Sequence, residues 1–213
     1  MLLKHKLLIL WLIILFVIAS TAVFWQISRR QVQKQSLSSS STQAYSGVIS
    51  GGSKLQKPID VKHLSLLNSR EGESSFANFE GKLVLAFFGS TACPDVCPIP
   101  LLALADIYTT HGEPEDVQIL MVTVDPDRDT ADRVQRYVKN LHNSFLGLSG
   151  SNSEIGKALE AFFVAATELA KGLFEHTDVV FALDRYVQIR RLYGHQDIDA
   201  LANDFSNLYA GQW

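Results

Sequence analysis

Residues 82–111 read KLVLAFFGSTACPDVCPIPLLALADIYTTH, and this stretch decides the fold. Residues 82–88 are a short apolar run flanked by glycines, the pattern of a buried β-strand. Residues 99–111 carry apolar side chains at helical spacing and predict a helix. The only two cysteines of the sequence, Cys93 and Cys97, therefore fall in a short loop between a strand and a helix.

The sequence that follows alternates between strand and helix patterns. Strands are predicted at residues 117–124, 179–183 and 188–193, and helices at residues 129–141, 153–165 and 198–209. Such alternation predicts an α/β fold, a sheet with helices on both faces. The last two strands are so close in sequence that we expect an antiparallel hairpin.

The N-terminal part has the pattern of a membrane anchor. Residues 7–27 contain no charge, and at 1.5 Å per residue they span about 31 Å as a helix, close to the thickness of the bilayer interior. Trp11 and Trp25 lie near the two ends, where aromatic belts occur. We expect a transmembrane signal-anchor after a short cap at residues 1–6. A cleaved signal peptide is the alternative, although its apolar core would be shorter.

A tether and one folded domain are expected after the anchor. Residues 28–57 are rich in Ser, Gln and Gly, which predicts a flexible tether, and residues 58–213 are expected to form the domain. All 22 acidic residues but only twelve of the 19 basic ones fall in that domain. An acidic domain argues against nucleic acid as a partner.

Cys93 and Cys97 are four residues apart, so both side chains would lie on one side of a first helical turn. The helix dipole there favours thiolates. Two such thiolates can form a disulfide or bind a soft metal such as Cu(I), whereas structural zinc would need two further ligands. The alternative is a pair of cysteines that only stabilises the structure.

The cysteine segment FFGSTACPDVCP resembles the signature of the Sco/SenC family, thioredoxin-fold proteins that handle copper for cytochrome oxidase assembly. VTVDPDRDT at residues 122–130 and EHTDVVFALD at residues 175–184 resemble further segments of the same family. The resemblance covers about residues 81–210. It implies a thioredoxin-like mixed sheet flanked by helices.

The resemblance also implies a copper site made by Cys93, Cys97 and His176, holding Cu(I), Cu(II) or both. His176 immediately precedes a predicted core strand, at the position that faces the cysteine loop in a thioredoxin-like sheet. Asp125 follows the second core strand. It either shapes the turn there or lies near the copper loop, where it would tune the metal site or dock a partner.

The expected function is that of a membrane-anchored copper chaperone, not an enzyme with turnover. It would deliver copper to the binuclear site of cytochrome c oxidase, or exchange it with another copper carrier. The expected location is the inner (cytoplasmic) membrane, with a single span and the soluble domain on the periplasmic side.

An enzyme is the main competing interpretation: a thiol–disulfide reductase that keeps the copper-ligand cysteines of the recipient reduced. It would need Cys93 and Cys97 but not His176. All six prolines lie at or before residue 126, so residues 175–178 stand where a thioredoxin-type oxidoreductase has its cis-proline. This difference favours metal handling. A peroxidase of the same fold is the weaker third interpretation.

Overall fold

The computed structural model describes residues 52–68, 72–93, 98–170 and 173–213. Its strands are β1 (Ser53–Asp60), β2 (Ser65–Asn68), β3 (Gly72–Ser75), β4 (Leu83–Gly89), β5 (Val117–Thr123), β6 (Leu146–Leu148), β7 (Ala166–Ala170), β8 (Leu173–His176), β9 (Val179–Leu183) and β10 (Gln188–Gly194). Its helices are α1 (Pro98–Thr110), α2 (Ala131–Lys139), α3 (Asn152–Ala161) and α4 (Ile198–Tyr209). Two short 3₁₀ turns lie at Phe76–Phe79 and His195–Asp197.

The central sheet has six strands in the order β1-β10-β9-β4-β5-β6. Strand β4 is parallel to β5 and antiparallel to β9, and all seven of its residues are buried. Its side chains alternate between two hydrophobic clusters. Val84, Ala86 and Phe88 join one, and Leu83, Leu85 and Phe87 join the other. The predicted α/β class is thus confirmed, with a mixed sheet covered on both faces.

The helices cover these clusters, and local capping interactions set where the helices begin and end. Helix α2 begins after Thr130, whose hydroxyl accepts a hydrogen bond from the Arg133 amide. Helix α3 begins at Asn152, one residue earlier than predicted, and Ser151 before it forms a capping box with Glu154. It ends at Ala161 instead of residue 165, because Phe163 takes a positive φ of 55° there.

The sequence analysis missed four features of the β-structure. One is the short strand β6, which pairs parallel to β5 at one edge of the central sheet. Strand β1 includes residues 53–57, which the sequence analysis assigned to the tether, and it pairs with β10 at the sheet edge. Strands β2 and β3 form a small antiparallel sheet, and β7 and β8 form another. These strands are short or polar and lack a clear period, so hydrophobic patterning does not reveal them.

The predicted cap at residues 1–6, the predicted span at residues 7–27 and most of the predicted tether lie outside the described residues. None of the helices in the described part of the chain is long and apolar enough to cross a membrane.

Candidate metal centre

Cys93 is presented by a tight turn that follows β4. The Cys93 amide donates to the Ser90 carbonyl at 3.3 Å, and the Ala92 amide donates to the Ser90 hydroxyl at 3.2 Å. Ser90 is buried directly after β4, so these hydrogen bonds fix the turn to the end of the strand. Cys93 itself is half-buried and packs against the cluster that contains Phe87. Its thiol therefore lies at the boundary between core and surface.

The buried carboxylate of Asp129 also holds this turn. Asp129 has no exposed surface, and its Oδ2 accepts hydrogen bonds from the Thr91 amide at 2.8 Å and the Thr123 hydroxyl at 2.9 Å. Its Oδ1 accepts a hydrogen bond from the Thr91 hydroxyl. The Arg133 Nε donates to the Thr91 hydroxyl at 2.9 Å and lies 3.5 Å from Asp129 Oδ1. The cysteine turn is thus joined to β5 and α2.

His176 ends β8, where it pairs with Ala166. Its Nδ1 lies 3.2 Å from the Thr177 carbonyl oxygen. A ring N–H that donates to a carbonyl fixes the tautomer whose other nitrogen, Nε2, carries the lone pair that binds metals. The His176 ring meets the Phe87 ring edge to face, with 5.9 Å between the centroids.

The register of the central sheet brings Cys93 and His176 to the same end of its strands. Phe87 of β4 pairs with Val180 of β9, and the two strands are antiparallel. From this pair, the chain continues forward from Phe87 to Cys93. In the other direction, it runs back from Val180 to His176. Cys93 follows β4 and His176 precedes β9, so both candidate ligands lie beyond the same end of these neighbouring strands.

Asp125 is buried at the end of β5, as the sequence placed it. Its amide donates to the Thr123 hydroxyl at 3.0 Å, and that hydroxyl in turn donates to Asp129. Burial, and then the charge of Asp129, raise the pKa of the Asp125 carboxyl. Among the described residues, its Oδ2 is buried without a hydrogen-bond partner. The carboxylate that contacts the cysteine turn is Asp129, which the sequence analysis did not select as a site residue.

A second histidine lies beside the candidate ligand. Gly194 of β10 pairs with Val179 of β9, and His195 Nδ1 lies 3.4 Å from Asp178 Oδ2. Burial raises the pKa of the Asp178 carboxyl, and the charges of His195 and His176 oppose that rise. Sequence reasoning missed this pair, because it depends on a register between two strands that the sequence does not specify.

The structure brings two of the three predicted ligands, Cys93 and His176, to the same end of the central sheet. Cys97 lies outside the described residues, so the complete set of three stays a prediction. Over residues 52–68, 72–93, 98–170 and 173–213, no cluster of three or more His, Cys, Asp or Glu residues could hold a metal ion. A thiolate with an imidazole nevertheless suits a soft or borderline metal such as copper.

The mixed sheet, the helices on both of its faces and the cysteine loop between β4 and α1 define a thioredoxin-like protein. The chain belongs to the SCO1/SenC family, whose model matches residues 53–209. The predicted family is thereby confirmed.

Three relatives illustrate the similarity. The protein SCO2 homolog, mitochondrial, of Bos taurus is 41% identical over 112 residues, which are 51% of this chain and 42% of that protein. The solution structure of apo Sco1 from Thermus thermophilus has a TM-score of 0.66 and 35% identity, covering 75% of this chain and 96% of that one. Arabidopsis thaliana ScoI, crystallised with copper bound, has a TM-score of 0.65 and 29% identity, covering 74% and 98%. The chain spans about half the length of the curated relatives it matches.

Proposed function

We propose that this protein is a membrane-anchored copper metallochaperone. It binds copper as cargo through Cys93, Cys97 and His176 and delivers it to the binuclear copper site of cytochrome c oxidase, or to another copper carrier. The observation that carries the proposal is the Phe87 junction. His176 packs on the ring of Phe87, and the strand that holds Phe87 leads directly into the Cys93 turn. Membership of the family, and copper in the Arabidopsis thaliana relative, support the same conclusion.

The chemistry of this site suits transfer rather than permanent storage. Two thiolates and one imidazole give a three-coordinate N/S set that holds Cu(I) and can also accept Cu(II). In ligand exchange, a donor atom of the recipient binds the copper while one of these ligands leaves, so the oxidation state of the metal does not change. The hydrogen bond from the Nδ1–H of His176 to the Thr177 carbonyl orients the ring and leaves Nε2 as the nitrogen that would bind copper.

The anchor completes the proposal. Residues 7–27 would hold the protein in the inner membrane, with the domain on the periplasmic side. A flexible tether raises the effective concentration of the copper site near a membrane-bound recipient. An experiment should retain these segments, because a chain cut before residue 58 would also lose most of β1.

The test is a competition titration with Cu(I) and a colorimetric chelator, made on the reduced full-length chain in a mild detergent. The variants are His176→Ala, the double variant Cys93→Ser/Cys97→Ser and, as a matched control, His63→Ala, which changes an exposed histidine in the β1–β2 loop. We expect one copper per chain, with affinity about a hundredfold lower without His176, or about 2.7 kcal/mol. The double variant should lose tight binding, and His63→Ala should bind like the parent chain.

Two results would contradict the proposal. If the parent chain bound Cu(I) no more tightly than the double variant, a copper site at the cysteines would be excluded. Tight binding that needs the cysteines but not His176 would leave only a dithiol, and the thiol–disulfide reductase would then be the better explanation. For the reductase, we would expect a reduction potential well below that of the surrounding compartment.

A further inference from the structure

Asp129 combines complete burial with contacts that converge on the cysteine turn. It lies at the end of the β5–α2 connection, yet the helix is capped by its neighbour Thr130. Its carboxylate is therefore not needed to cap the helix. Instead, it accepts three hydrogen bonds, two from Thr91 and one from Thr123.

The backbone of Asp129 is fixed as firmly as its side chain. Its amide donates to the Asp125 carbonyl at 2.8 Å, and its carbonyl accepts a hydrogen bond from the Ser149 hydroxyl. Thr91, in contrast, belongs to a four-residue turn whose internal bonds are those to Ser90. Asp129 is thus a rigid support, and the turn is the part that it orients.

The chemistry of these contacts requires a carboxylate. All three hydrogen-bond partners of Asp129 are donors, and an ionised carboxylate is a pure acceptor with two oxygens. An asparagine would present an amide nitrogen to one of those donors, and a buried donor would then lose its partner. The Arg133 guanidinium adds a positive charge 3.5 Å from Oδ1 and a hydrogen bond to the Thr91 hydroxyl.

We infer that Asp129 is a positioning residue for copper binding, which acts through Thr91 to fix the turn that presents Cys93. This inference rests on the proposed function. It assigns to Asp129 and Thr91 the role of holding the Cys93 sulfur where the other two ligands can reach the same metal ion. Loss of either side chain should weaken copper binding even where the fold is retained.

The experiment compares matched variants of the full-length chain in detergent. Thr91→Val removes the hydroxyl at nearly constant volume, whereas Thr91→Ser keeps it. Asp129→Asn changes the acceptor, and Asp132→Asn removes a charge from an exposed position of the helix that follows, α2. The measured quantities are the Cu(I) affinity and, in a Cys97→Ser background where Cys93 is the only cysteine, the rate of alkylation by iodoacetamide at one fixed pH.

We expect Thr91→Val and Asp129→Asn to weaken Cu(I) binding about tenfold and to speed Cys93 alkylation at least threefold, because the turn loses its support. Thr91→Ser and Asp132→Asn should stay within twofold of the parent chain in both measurements. A purely structural role would lower the unfolding free energy of Thr91→Val but would leave the Cu(I) affinity and the Cys93 alkylation rate of the folded protein unchanged. Equal values for Thr91→Val and Thr91→Ser in both measurements would overturn the inference.

The two proposals fail in different ways. If the parent chain binds no copper, the proposed function is wrong, and the alkylation rates alone decide whether Asp129 and Thr91 hold the turn. If the parent binds copper but the Thr91→Val variant binds it equally well and its Cys93 is alkylated at the parent rate, the function stands and the positioning role is excluded.

Discussion

The two sides of the candidate copper site are built differently. Cys93 follows a fully buried central strand, and its turn is tied to β5 and α2 through Asp129. His176 lies on the two-stranded β7–β8 sheet, where Thr167, Glu168 and Leu169 are exposed. Hydrogen bonds between Ala165 and Thr177 extend the pairing of β7 with β8, and the His176 ring contacts Phe87 of β4.

This difference suits the proposed function, in which the protein releases copper to a recipient. Segments with few buried contacts open at a lower free-energy cost than core strands. We therefore expect the Cys93 turn to stay in place during ligand exchange, while the β7–β8 sheet that carries His176 moves first. The predictions below test this contrast, beginning with the residue that both sides share.

Phe87 lies at the junction, so its replacement should have the largest effect. Phe87→Leu removes the ring that meets His176, and we expect a loss of about 1–3 kcal/mol of unfolding free energy and about a tenfold weaker affinity for Cu(I). Phe88→Leu is the matched control, because Phe88 packs in the opposite hydrophobic cluster. It should lose similar stability in thermal unfolding without losing copper affinity. Equal copper affinities for the two variants would contradict a role of the Phe87 ring in positioning His176.

Thr123 supports the fixed side. Thr123→Val removes a donor to Asp129 and an acceptor for the Asp125 amide, both in the buried interior. We expect a loss of about 1–2 kcal/mol, measured by urea unfolding, because buried polar groups lose their partners. Thr123→Ser keeps the hydroxyl and should recover most of that loss. If serine and valine were equally destabilising, the hydroxyl would not be the stabilising group.

Thr177 supports the side that should yield. Its hydroxyl accepts a hydrogen bond from the Ala165 amide at 3.0 Å. Thr177→Val should reduce the unfolding free energy by only about 0.5–1 kcal/mol, since the site is half-buried and water can replace the lost partner. Hydrogen exchange should nevertheless quicken for the amides of β7 and β8 but not for those of β4. Faster exchange in β4 would mean that the two sides open together.

The smallest effect concerns pH. Burial raises the pKa of the Asp125 carboxyl above its ordinary value of 3.8, so the folded state holds this proton more tightly than the unfolded state. The resulting stabilisation is present below pH 3.8 and is lost as the pH rises through the folded pKa. Asp125→Asn should therefore gain stability relative to the parent chain between pH 4 and pH 7.

The measurement is urea unfolding of Asp125→Asn and the parent chain across this pH range. A stability difference that stays constant with pH would contradict the prediction, because burial would then not perturb the Asp125 carboxyl.

The strongly apolar elements could be predicted from the sequence. Strands β4 and β5 begin and end within one residue of the predicted bounds, because a buried run between turn residues has few alternatives. Strands β7 and β8 could not be predicted in this way. ATELA and LFEH are short, and their strand structure depends on pairing with each other rather than on a hydrophobic face.

The same distinction applies to the candidate site. Residue types and spacing singled out Cys93 and Cys97, and the family resemblance added His176. The role of Asp129 was missed because its main contact, Thr91, lies 38 residues away in sequence. An aspartate at the start of a predicted helix is most simply interpreted as a cap, but the cap of this helix is Thr130. Long-range polar contacts of this kind need the fold before they can be recognised.

The most direct test of the copper site is X-ray absorption spectroscopy on the Cu(I)-loaded full-length chain and its His176→Ala variant. The proposed site predicts two sulfur ligands and one nitrogen ligand in the parent chain, and loss of the nitrogen in the variant. Identical spectra for the two proteins, with sulfur ligands alone, would contradict the account, because His176 would then not bind copper.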